Sequence, residues 1–65
     1  MADRYVVLKA SGSRFADVQD TEMRRTVHRY DIFRTYGGVD GWDAATKHAA
    51  NLNAMLSRAE GGSHG

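Results

Sequence analysis

The groups in this 65-residue chain that could do chemistry are three histidines, eight acidic residues and a few hydroxyls. His28 and His48 come from different stretches and could meet, but two imidazoles without a third ligand hold a metal poorly. The absence of cysteine removes any thiolate site. Ser11 and Ser13 fall in a turn and Ser63 in the tail, none placed as a nucleophile in a water-excluding cleft. Gly37-Gly-Val-Asp-Gly41 stands before a helical stretch, where phosphates bind readily. It lacks the Lys and Ser/Thr of a phosphate loop, and Asp40 and Asp43 would repel the anion. These residues point away from an enzyme, and neither a cofactor nor a metal is expected. The chemistry that remains is recognition. Arg24, Arg25, Arg29 and Arg34 share one stretch with the single acid Asp31, interleaved with Val27, Tyr30 and Phe33.

These residues must be positioned by a small set of elements. Asp40 to Ala59 has helical periodicity, with Trp42, Ala45, Ala49, Leu52, Leu56 and Ala59 on one stripe and His48 and Met55 along its edge. Asp43, Lys47, Asn51 and Arg58 face the other way. Asp40 is a good N-cap, because its carboxylate accepts from unpaired backbone N–H groups of the first turn. Gly61 and Gly62 are expected to end the helix. His48, at the stripe's edge, reads as a half-buried histidine bonded to a backbone carbonyl, and Trp42 as a plug at one end of the core.

Arg4 to Lys9 is rich in β-branched and aromatic residues and reads as a strand. Ser11-Gly12-Ser13 is a turn, Arg14 to Gln19 a second strand, and Arg25 to Arg34 a third, with Thr35 to Val39 breaking the pattern. The expected fold is α+β: a three-stranded antiparallel sheet (β-β-β-α) with one C-terminal helix packed on one face. Residues 1–60 form a single small domain and residues 61–65 a disordered tail. Alternation turns Val6, Leu8, Ala16, Val18, Tyr30 and Ile32 toward the helix. It leaves Tyr5, Val7, Lys9, Phe15, Asp17, Val27, Arg29, Asp31 and Phe33 on the opposite face, and a slip of one residue in any strand exchanges its two sets.

A domain of this size buries only about 60% of its unfolded surface, so its own core leaves it marginally stable. No apolar run reaches the roughly 20 residues that span a bilayer, and the first nine residues are too short and too charged for a signal peptide. The chain is therefore expected in the cytoplasm and not in a membrane. The formal charge is only +1 and the pI near 8.2, below the basicity usual in nucleic-acid-binding domains. Acids and arginines mixed with aromatics are what protein interfaces favour. The open sheet face is also more apolar than solvent requires. It is expected to be covered by Tyr36 and the following loop, by a second copy, or by a partner.

The strand Arg4-Tyr-Val-Val-Leu8, the short hairpin, the Asp20-Thr-Glu22 turn and the run Gly41-Trp-Asp-Ala-Ala-x-x-His-Ala-Ala-x-Leu-Asn53 resemble small accessory proteins of bacteriophages and mobile elements. Inhibitors of host defence such as anti-CRISPR proteins, and small DNA-binding regulators, belong to that group. The resemblance implies a stoichiometric binder in place of an enzyme. The leading expectation is a protein that binds and inhibits a host protein complex in the host cytoplasm, as a monomer or homodimer. The expected partner-binding residues are Tyr5, Phe15, Arg25, Arg29, Phe33 and Arg34, with Arg25 and Arg34 at the rim. The alternative is a nucleic-acid-binding regulator using the same strand, with arginines on phosphates.

Overall fold

A computed structural model describes residues 3–62. Strands β1 (Tyr5–Leu8), β2 (Phe15–Asp20) and β3 (Arg25–Asp31) form an antiparallel sheet in sequence order. A short hairpin of β4 (Thr35–Tyr36) and β5 (Val39–Asp40) leads into a single helix, α1 (Gly41–Gly62). The α+β meander with its C-terminal helix on one face is as expected. The helix runs through Gly61 and Gly62 instead of ending before them. Of the expected tail, Ser63 to Gly65 lies outside the described residues.

The hairpin replaces the expected break at Thr35 to Val39. Gly37 and Gly38 both adopt positive φ, 62° and 90°, as a two-residue turn matched to strand twist requires. The third strand also ends sooner than the alternation implied. Asp31 turns the chain, its Oδ1 accepting from the Phe33 N–H at 2.9 Å and its carbonyl from the Arg34 N–H at 3.0 Å. Asp40 caps α1 as expected, accepting from the Asp43 N–H at 2.9 Å.

Helix and sheet meet through very small side chains. The buried hydrophobic residues are Ala16, Val18, Ala45 and Ala49, surrounded by Tyr5, Val7, Tyr30, Ile32 and Leu52. Alternation assigned β2 and the end of β3 correctly, but β1 is inverted. Its register sets Tyr5 opposite Asp20 and Val7 opposite Val18, so Tyr5 and Val7 face the helix while Val6 and Leu8 face outward. A run of four apolar residues contains no polar side chain to mark the wet face, and only the pairing decides it. A register shift between Val18 and Gln19 leaves Val27 out of the ladder, so alternation cannot be carried through β3 either. Trp42 is not the expected plug: it is 44% exposed at the edge of the helix.

The β2–β3 turn is held by Asp20, only 4% exposed. Arg4 donates to both of its carboxylate oxygens, at 3.1 and 3.0 Å, and the Glu22 and Met23 N–H groups donate to Oδ1. The Arg4 bond, followed by these amides, holds the carboxyl down at about 2 against the opposing effect of burial. The turn ends at Arg24, whose φ of 56° is unusual for a residue with a side chain. On the other side of the domain, His48 Nδ1 and the Tyr30 hydroxyl lie 3.0 Å apart. The half-buried histidine therefore bonds a side chain and not the backbone carbonyl expected. The His28 and His48 rings do meet, with centroids 5.6 Å apart.

Candidate protein-binding face

The sheet face away from α1 carries Val6 and Leu8 from β1, Phe15, Asp17 and Gln19 from β2, and Thr26, Arg29 and Asp31 from β3. Its arginines are paired across strands. Arg29 lies opposite Asp17 and donates from Nε to Oδ1 at 2.9 Å. Arg14, just before β2, donates to Asp31 Oδ2 at 2.7 Å. This Arg14 bond, with the Phe33 amide, lowers the Asp31 pKa.

Phe15 sits between the two cations. The Arg29 guanidinium is 5.2 Å from its ring centroid, and that of Arg14 is 5.9 Å away. Arg14 also lies 5.4 Å from the Phe33 ring, and Phe33 is 74% exposed. Guanidinium groups held against aromatic faces keep their charge while their planes become part of an apolar surface. Leu8, 55% exposed, extends that surface along β1. Two Arg–Asp pairs make the face nearly neutral, yet it is rich in the arginine and aromatic side chains that interfaces favour.

Three of the expected contact residues, Phe15, Arg29 and Phe33, are brought together here. Tyr5 is not among them, because β1 turns it into the core margin. Arg25 stands at the far end of β3 opposite Asp20. Arg34 lies beyond the other end of the strand, over the Tyr36 ring at 6.0 Å. The two expected rim arginines thus lie at opposite ends of β3 and not around one centre. From the sequence, Arg14 marks only the start of the second strand and stands outside the contact set, and Leu8 turns inward. Arg14 is next to Phe15, the residue that the antiparallel pairing sets opposite Asp31, and reaches that carboxylate from one position along the chain.

The hairpin leaves this face uncovered. Tyr36 packs against Tyr30 on the helix side, with centroids 5.0 Å apart, and its hydroxyl accepts from the Asp31 N–H. Among the described residues no group of three or more His, Cys, Asp or Glu side chains could hold a metal ion. Among the same residues no helix is long and apolar enough to cross a membrane. In comparisons with known proteins, no family model, no curated protein and no solved structure matches the chain.

Proposed function

We propose that this chain is a non-enzymatic binding module that docks a partner protein on the outer face of its sheet, with Phe15, Phe33, Arg14 and Arg29 at the centre of the contact. The observation that carries this reading is the cross-strand neutralisation of the two arginines beside exposed aromatic surface. A phosphate-binding face needs unpaired cations, whereas Asp17 and Asp31 engage both of these.

The resemblance to phage and mobile-element accessory proteins supplies the finer form of the proposal. In that form the partner is a host protein complex, and docking inhibits it in the manner of an anti-defence protein. The test is affinity capture from a host lysate with wild type and with the Phe15→Ser, Arg29→Glu double variant, both checked for folding by circular dichroism. A protein retained by wild type and lost by the folded double variant supports the reading. Equal capture by both removes the outer face from it. Salt-sensitive binding to labelled oligonucleotides that depends on Arg24, Arg25 and Arg34 would favour the nucleic-acid alternative instead.

A further inference from the structure

β1 is an edge strand, and its open side is treated differently at two successive outward positions. The Asn53 side chain of α1 reaches over to Tyr5, its Oδ1 accepting from the Tyr5 N–H at 3.0 Å and its Nδ2 donating to the Tyr5 carbonyl at 2.8 Å. One amide thus supplies the donor and acceptor that a residue of a neighbouring strand would supply. Thr21 N–H donates to the Arg4 carbonyl at 2.8 Å, so the ladder to β2 uses Arg4, Val6 and Leu8. Alternation then turns the N–H and C=O of Val7 outward, as it does those of Tyr5.

Beside Val7 lies an open groove of about 460 Å³ between β1 and α1. Trp42, Thr46, Ala49 and Ala50 line its helix side, while Asn53 and Asp3 border it as well. The exposed Trp42 ring has no role in the core cluster and stands over this groove.

We propose that the β1 edge and this groove form a strand-addition site for an extended segment of a partner protein. The segment bonds its backbone to Val7, seats one apolar side chain against Trp42, Ala49 and Ala50, and carries a cationic group at its Asp3 end. Strand addition draws its affinity from main-chain bonds and its selectivity from pockets for alternate side chains, and both are present. Asn53 stops the addition at Tyr5, because that residue's two backbone groups are already engaged. The segment therefore ends beside the Asp3 carboxylate, where a positive charge is favoured. A second copy of β1 fits less well. Antiparallel self-pairing centred on Val7 brings each Tyr5 against the other strand, where Asn53 already stands. This site is separate from the outer face and does not depend on it.

The probes are the capped peptide acetyl-Lys-Val-Thr-Val-Thr-amide, its reverse sequence, and both with Lys replaced by Glu. Each is titrated into the ¹⁵N-labelled full chain and followed by two-dimensional NMR. A Lys peptide should shift the Val7 amide and the Trp42 indole saturably below about 1 mM. Its Glu counterpart should bind up to about fivefold more weakly, the range of an exposed ion pair, and Asp3→Lys should reverse that order. Ala50→Glu puts a charge into the groove from an exposed helical position and should weaken binding at least about tenfold. Ala54→Glu, on the exposed helix surface outside the groove lining, should leave it unchanged. No shift with any peptide, shifts confined to the outer face, or equal binding by Ala50→Glu would each overturn the proposal. Concentration-dependent shifts at Val7 without peptide would assign the edge to a second copy and overturn it equally. Loss of outer-face docking in the Phe15→Ser, Arg29→Glu variant does not affect these outcomes.

Discussion

Replacing Gly41 by alanine should destabilise the protein more than its surface-loop appearance in the sequence suggests. Gly41 begins α1 where the helix rests on the end of β3. A Cβ added there would stand 2.8 Å from the Ile32 Cα, 2.5 Å from the Asp31 carbonyl carbon and closer still to the Asp31 oxygen. All three are backbone atoms, so no side chain can rotate away, and either the helix or the strand end must shift. Overpacking of this kind costs about 1–3 kcal/mol, and the helix propensity gained from alanine offsets at most ~1 kcal/mol. A net loss of about 2 kcal/mol corresponds to a melting temperature lower by roughly 8–16 °C in a domain of this size. Thermal unfolding followed by circular dichroism at 222 nm reads this directly, with Gly37→Ala as a comparison that meets nothing within 4 Å and tests only the positive φ. If Gly41→Ala melted within about 2 °C of wild type, the close seating of α1 on β3 would be wrong, and with it the reasoning from that contact.

Arg24→Gly should stabilise the β2–β3 turn by about 1 kcal/mol, because glycine adopts φ near 56° without a Cβ penalty; urea unfolding checks it. Asp20 has a carboxyl pKa lowered from 3.8 to about 2 in the folded chain. Its contribution is therefore fully present above the unfolded value and is lost as pH falls through the folded one. Wild type should accordingly keep a constant advantage over Asp20→Asn from neutral pH down to roughly pH 5 and lose it progressively toward pH 2 in acid titrations. Asn53→Ala should leave Tyr5's backbone groups to water and cost about 1 kcal/mol, with faster hydrogen exchange at the Tyr5 amide. A double-mutant cycle on Asp17 and Arg29, both partly exposed, should return a coupling below about 1 kcal/mol. A larger value would mean that Phe15 and the pair act as one unit.

Alternation revealed the helix-facing set of β2 because Ala16, Val18 and their polar neighbours differ in kind. It failed in β1, where Tyr5 to Leu8 are all apolar and the face depends on pairing with Asp20 and Val18. The misplacement of Tyr5 among the contact residues follows from that failure alone. Phe15, Arg29 and Phe33 are legible as a group, but nothing in the sequence shows that Asp17 and Asp31 each bind an arginine and so set the character of their surface. Gly37-Gly38 marked a turn, yet strands of two residues lie below the length at which a pattern can be seen. Asn53 gave no signal, because an asparagine on a helix looks solvated until a strand edge is placed beside it.

The alanine-built interior also sets how this protein meets mutation. Ala16 and Ala45 are fully enclosed and already at the smallest volume a side chain can have, so truncation finds almost nothing to remove, whereas an added methyl group must displace a packed neighbour. A conventional alanine scan of this chain would find its centre at Val18 and the larger residues around it, and pass over the alanines themselves. Its tolerance is one-sided, and a lineage of such sequences would keep Ala16 and Ala45 closed to every larger neighbour in the genetic code.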